Sequence, residues 1–457
     1  MIRTRAAALG VLLCRSMAGA ADESLDYQPI GRIVMSRPAG TPRAVAVLLT
    51  GDSGFTATEN AIASMLAAAG TLVLGVDLRQ YRARLAESWT SELYPSADLE
   101  LLSQFAQRAS RLAAYEPPVL VGVGAGAALA YASLAQANPN AFRGAVSVSF
   151  CPLLALPKPP GSGRGLAATR DGGAFRLTPS SAVQGRWVVV QPEDDRACPL
   201  STVREFVQRV AHAKVLVAPD GTSGLVSRVR AAFLGIAGTP REEDRGTPAA
   251  DVVDLPLVEL RAAGTSTGTL AVMLSGDGGW ASIDRDVGDQ LTAHGVDVVG
   301  LNSLRYFWTR RTPDGATADI ERILRHYLAA WNERRVLLLG YSRGADVLPF
   351  LVARLAPDLR SRVSLVVLLG PSRSVDFEFH LSDWVADADR GTELPVRPEV
   401  EKLRGMQVLC VYGRDETDSL CPELGPPLAT VLEQPGGHHF GGDYGAVVAR
   451  LLAMAGG

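Results

Sequence analysis

"RRVLLLGYSRGADVLPF", residues 334–350, carries an apolar run through Gly-Tyr-Ser-Arg-Gly into a segment with helical spacing. Val336 to Leu339 have the length and character of a buried strand. Gly340-Tyr341-Ser342-Arg343-Gly344 then has the strand-turn-helix form in which a nucleophilic serine stands on a sharp elbow. The glycines answer a steric need, because backbone turning this sharply is crowded and Gly340 and Gly344 relieve the crowding around the serine. Gly-x-Ser-x-Gly by itself also describes any serine in a tight turn, so its meaning depends on the company it keeps.

The stretch has an imperfect copy. "VLVGVGAGAALA" at 119–130 matches "VLLLGYSRGADV" at 336–347, and three more pairs occur in the same order. They are "AVAVLLTGDSGF" (44–55) with "LAVMLSGDGGW" (270–280), "TLVLGVDLRQY" (71–81) with "VDVVGLNSLRYFW" (296–308), and "VVVQPEDDRACP" (188–199) with "VLCVYGRDETDSLCP" (408–422). Four segments in common order, offset by about 220 residues, mark an internal duplication. Helical patterns such as "ATENAIASMLAAAG" and "IDRDVGDQLTAHG" separate the apolar runs, and strands alternating with helices imply a parallel sheet covered on both faces. A chain of 457 residues is also too long for one ordinary core. The expected class is α/β, with two tandem α/β-hydrolase-like domains, each a doubly wound, mainly parallel sheet. The first spans 25–237, a polar linker "GTPREEDRGTPAADVVDLP" spans 238–256, and the second, catalytic domain spans 257–457.

Hydrophobic content of 47% and charged content of 20% belong to a globular chain with large cores. A net charge of -3, with no basic run, argues against nucleic acid as a partner. Residues 1–20 read as a secretory signal: Arg3 and Arg5, an apolar core from Ala6 to Cys14, and small residues Ala18-Gly19-Ala20 for cleavage. No segment approaches the apolar length of a membrane span. Export would expose Cys151, Cys198, Cys410 and Cys421 to an oxidising compartment. Two fall in each half, and Cys151–Cys198 with Cys410–Cys421 is the economical pairing among three. None of the spacings resembles a zinc ligand set, and no metal or other cofactor is expected.

Ser342 needs a base, and on this fold the partners follow in the order serine, acid, histidine. His438 and His439, in "LEQPGGHHFGGDY", lie in a glycine-rich loop after the last apolar run; His438 is preferred and His439 is the alternate. The acid should follow "QVLCVYG". Asp418 leads, because Asp-x-x-Cys-Pro recurs at Asp195 to Pro199, with Asp415 as runner-up and Glu416 also within the loop. Oxyanion donors are expected from the backbone of Arg343 and from Gly278 and Gly279 in "SGDGGW". The first half has Gly124 in place of the serine and Thr222 or Ser223 in place of the histidines, so hydrolase chemistry is not expected there.

"SGDGGW", "SLRYFWTRRTPD", "GYSRGADVLPF", "DSLCP" and "PGGHHFGGDY" together resemble the bacterial virulence proteins AcvB and VirJ, across nearly the whole second half. AcvB-like members carry an additional N-terminal half, as this chain does. The resemblance implies a periplasmic α/β hydrolase, peripheral to the inner membrane, that cleaves the aminoacyl ester of lysyl-phosphatidylglycerol. VirJ-like members are instead linked to type IV secretion, which makes an exported binding module for secretion components the alternative; a lipase or thioesterase of other specificity is a third. For an aminoacylated phospholipid substrate, Asp376 and Glu378 in "PSRSVDFEFHLSDWVADADRGTELPVRPEV" would receive the cationic head group, in a segment that also carries Asp383, Asp387 and Asp389. Tyr306, Trp308 and Arg310 would suit a phosphate at a bilayer interface. Asp277, Trp280 and Tyr341 complete the expected substrate contacts.

Overall fold

The computed structural model describes residues 22–456 apart from 182, 184, 220, 239–250, 263, 379–392 and 443. The expected signal segment, 1–20, therefore lies outside the described residues.

Two large sheets form. The first contains β1 (Asp22–Tyr27), β2 (Gly31–Ser36), β3 (Ala44–Leu49), β4 (Thr71–Val76), β5 (Val119–Val123), β6 (Gly144–Val148), β7 (Arg186–Pro192) and β8 (Ala213–Ala218), in spatial order β1-β2-β4-β3-β5-β6-β7-β8. β2 runs antiparallel to both of its neighbours, β1 and β4, and the remaining pairings are parallel. The second contains β9 (Leu257–Leu260), β10 (Thr269–Leu274), β11 (Asp297–Leu301), β12 (Arg335–Tyr341), β13 (Val363–Leu369), β14 (Val408–Gly413) and β15 (Thr430–Gln434), in order β9-β11-β10-β12-β13-β14-β15. It repeats the first sheet strand for strand from β2 onward, with β9 antiparallel to β11 and the others parallel. This order, with a serine elbow after the strand that follows the crossover, is the α/β-hydrolase fold.

The apolar runs become central strands for the reason their composition suggests: both faces are covered by helices. Val336 to Leu339 and Leu365 to Leu369 are wholly buried, and the corresponding strands of the first half pack in the same way. The loops at the carboxyl ends of the strands are thereby gathered along one edge, where ligands bind in this class of fold. Both disulfides pair within their own halves, Cys151 with Cys198 and Cys410 with Cys421. Residues 239–250 of the expected linker lie outside the described residues. Its last part is not a loose tether, since Val252 and Leu255 are buried in the second core and Arg322 donates to the Asp251 carbonyl and the Asp254 carboxylate. Among the described residues no helix is long and apolar enough to cross a membrane.

The halves also touch. Trp308, fully buried, packs on Tyr115 with ring centroids 5.3 Å apart, and its Nε1 donates to the Leu112 carbonyl at 2.8 Å. The Arg108 guanidinium lies 4.9 Å above the same ring, donates to the Trp308 carbonyl, and pairs with Glu378 at 3.2 Å.

Candidate active site

Ser342 connects β12 to the helix Arg343–Arg354 at φ 52°, ψ -122°, a conformation that side chains rarely adopt. Three hydrogen bonds hold it there. Its N–H donates to the Leu369 carbonyl at 2.8 Å, and its carbonyl accepts from Ala345 at 2.7 Å and Asp346 at 3.0 Å. The flanking glycines are obligatory, because a Cβ on Gly340 would stand 2.3 Å from the Gly344 carbonyl oxygen and one on Gly344 would stand 2.1 Å from that of Leu274. The hydroxyl has no hydrogen-bond partner among the described residues, so it is unencumbered for chemistry.

His438 reaches the same corner from the loop after β15. Its ring packs on Tyr341, centroids 5.2 Å apart, and against the Cα of Gly370, one residue beyond the carbonyl that holds Ser342. Its Nδ1 is hydrogen-bonded to Glu416 Oε1, and Glu416 Oε2 accepts from the Gly413 N–H at 2.5 Å. Burial alone would lower the His438 pKa, but the bond to Glu416 and that carboxylate's charge outweigh it and raise the value above 6.5. Burial works against ionisation of Glu416 as well, yet its bonds to His438 and Gly413 hold it below its ordinary value. A carboxylate fixing Nδ1 leaves Nε2 as the basic nitrogen, which is the arrangement a general base requires.

The acid in contact with the histidine is therefore Glu416 and not Asp418 or Asp415. Both aspartates are exposed; Asp418 contributes a backbone carbonyl to Arg373, and the Asp415 N–H donates to Gly436. The register of the sheets explains the misassignment. Val190 and Val411 occupy equivalent pairings with β6 and β13, and Asp195 and Glu416 each lie five residues beyond. Cys198 follows Asp195 by three residues whereas Cys421 follows Glu416 by five, so aligning from Cys-Pro backwards selects the wrong carboxylate. His439 is exposed, with its Nδ1 3.1 Å from the Tyr341 hydroxyl.

The glycine loop after β10 also differs from expectation. The Gly279 N–H closes a turn on the Gly276 carbonyl at 3.1 Å, and the first half repeats that turn, Gly54 to Gly51, at the same distance and the same φ of 73°. A feature kept where the serine is absent is scaffold, so Gly279 is not an oxyanion donor. The N–H groups of Asp277 and Gly278 have no protein acceptor among the described residues. The loop lies against Ser342, since a Cβ on Gly276 would be 3.3 Å from Ser342 Cβ. Arg343, nearly buried, ties it down: Nε pairs with Asp277, and Nη1 donates to the carbonyls of Asp376 at 2.7 Å and Glu378 at 3.3 Å.

Most side chains expected to meet substrate are occupied elsewhere. Trp280 is buried beneath Gly300, where an added Cβ would lie 2.2 Å from the ring. Tyr306 is buried and donates to Asp319 at 2.6 Å, while Trp308 is the contact between halves described above. The Tyr341 hydroxyl donates to the His438 carbonyl at 3.3 Å, so this residue braces the histidine loop. Asp277 is paired with Arg343 and Glu378 with Arg108. Arg310 is exposed, and Asp376 is partly buried. Asp383, Asp387 and Asp389 lie outside the described residues. Aromatics interleaved with arginines have the same pattern in a core as at a membrane, and only burial separates the two. Sequence inspection passed over Gly370 and Asp346. The signal was available in the copy, where Ser149 stands in place of Gly370 and Ala128 in place of Asp346.

Residues 268–455, within the second half of the chain, match the family model for bacterial virulence protein (VirJ). No match is found among curated proteins. Among solved structures, Est1E from Butyrivibrio proteoclasticus is similar at 16% identity and a TM-score of 0.32, over 44% of this chain and 93% of that one. MenH from S. aureus is similar at 14% identity and 0.31, over 43% and 97%. TT1662 from Thermus thermophilus is similar at 16% identity and 0.33, over 49% and 99%.

Proposed function

We propose that the second half of this chain is a serine hydrolase whose substrate is the aminoacyl ester of an anionic phospholipid, lysyl-phosphatidylglycerol, at the periplasmic face of the inner membrane. One observation carries the hydrolase reading. A serine on a strained elbow and a histidine held by a carboxylate meet in one half, and the duplicate keeps the elbow at φ 55°, ψ -115° with Gly124 in place of the serine and no histidine beside it. Strain of this kind costs on the order of 1–3 kcal/mol. It is retained in the half that has a base to use the hydroxyl and relieved by glycine in the half that does not.

In the proposed reaction Ser342 Oγ attacks the ester carbonyl as its proton passes to His438 Nε2, and Glu416 stabilises the imidazolium that forms. The developing oxyanion is met by the Arg343 N–H and by the free N–H groups of Asp277 and Gly278, each such donor contributing about 3 kcal/mol to lowering the barrier. His438 returns the proton to the leaving glycerol oxygen. Water, activated by the same nitrogen, then frees the amino acid from Ser342. The lipid identity rests on the family resemblance, and the ester class on the site.

Incubating the purified protein with lysyl-phosphatidylglycerol vesicles and following free lysine tests this directly. Turnover is expected in the wild type and absent in Ser342→Ala. Undiminished release by the variant would refute the mechanism. No release by either protein, with a secretion component still captured by Ser342→Ala, would favour the exported binding module.

A further inference from the structure

We propose that the Asp346 carboxylate is the subsite for a substrate ammonium group borne on the carbon next to the scissile carbonyl, that is, the α-amine of an aminoacyl ester. This rests on the hydrolase reading above and specifies the acyl group that the site accepts.

Asp346 lies one helical turn after Ser342, about 5.4 Å along the helix axis. Helical side chains lean toward the N-terminus, so its carboxylate points back toward the elbow. Only 6% of the residue is exposed. Oδ1 accepts from the Ser372 N–H at 2.6 Å. Oδ2 has no protein partner among the described residues and is not among the sealed, unpaired side-chain atoms. The charged groups facing Asp346 are Arg343, Asp277 and His438, and its field in turn raises the His438 pKa. Arg343 is bonded to Asp277 and to two backbone carbonyls, and among the described residues no cation is bonded to the Asp346 carboxylate.

A nearly buried carboxylate with one oxygen unsatisfied is costly unless a cation arrives. Burial drives its pKa up to about 7, and an ammonium ligand would restore the ionised form. The duplicate half places Ala128 at this helix position, so the fold does not require an acid there. Position selects the α-amine over a distal one: a group on the carbon beside the carbonyl stays within a helix turn of Ser342, whereas the ε-amine of a lysyl chain extends four further carbons away.

The test uses p-nitrophenyl esters of three six-carbon acids with the full chain: norleucine (α-amine), 6-aminohexanoate (distal amine only) and hexanoate (none). The wild type should prefer norleucyl over hexanoyl by at least tenfold in kcat/KM. Asp346→Asn keeps an acceptor for Ser372 and should collapse that ratio at least tenfold, mainly through KM, with partial recovery in Asp346→Glu. A wild-type preference for the 6-aminohexanoyl ester, or an Asn variant that slows all three esters equally, would overturn the subsite and leave the hydrolase intact. Ser342-independent release of all three would overturn both. Should Asp346→Asn melt early, competition on the wild type decides: inhibition by norleucine amide and not by hexanamide supports the subsite, and equal inhibition overturns it.

Discussion

A serine with positive φ persists only where its surroundings over-determine it, and at Ser342 the surroundings are backbone: the Leu369 carbonyl, the first helical N–H groups, and two glycines that admit no Cβ. His438 is held differently, by a carboxylate and an aromatic face, and its proton affinity is set by the first of these. Because Glu416 raises the His438 pKa above 6.5, the base is neutral only at higher pH. The acid limb of kcat/KM should accordingly have its midpoint above 6.5. Glu416→Gln removes the largest raising influence, so the limb should move to lower pH while the rate falls about 10²- to 10⁴-fold from loss of the correct tautomer. Asp415→Asn should retain the wild-type pH profile, while Asp418→Asn, which removes a lesser raising charge, should move the limb slightly to lower pH with little loss of rate. A pH–rate series on an activated ester checks all three variants, and wild-type activity in Glu416→Gln would discard the assignment.

Among the elements, two loops decide whether the site works. The acid loop is closed by Cys410–Cys421, which flank Glu416, so its ends stay 5.5 Å apart and the carboxylate has a short, tethered path to the histidine. The corner after β13 must leave room for the imidazole. A Cβ on Gly370 would stand 2.8 Å from His438 Cε1, at a backbone φ of 62°. Gly370→Ala should thus displace His438, lowering kcat at least 10²-fold while costing only about 1 kcal/mol of stability. Kinetics paired with a thermal melt checks this, and a fully active variant would show that the histidine is not confined there. The sequence displayed these loops as loops but hid which side chain in each mattered. Asp195 and Glu416 correspond only when residues are counted from paired strands, and strand register is a property of the sheet rather than of a motif.

On the scale of the whole molecule, the two halves are joined through Trp308, Tyr115 and Arg108, and Arg108 reaches Glu378, whose carbonyl binds Arg343 next to Ser342. The first half thus braces the half that carries Ser342 and His438. Trp308→Ala should cost about 3–5 kcal/mol, read as a lowered urea midpoint, because it empties a fully buried site. If the ring instead met a bilayer, stability would hold and vesicle binding would fall. The sequence by itself determined the duplication, the strand and helix order and the elbow at Ser342, because periodicity, turn glycines and repeated segments are local and survive without a partner. Only the tertiary structure decided that Glu416 is the carboxylate in contact with His438, that the Gly279 N–H closes a turn, and that Trp280, Tyr306 and Trp308 are packing. Each of those depends on burial or on contact between segments far apart in the chain, and residue type alone carries neither.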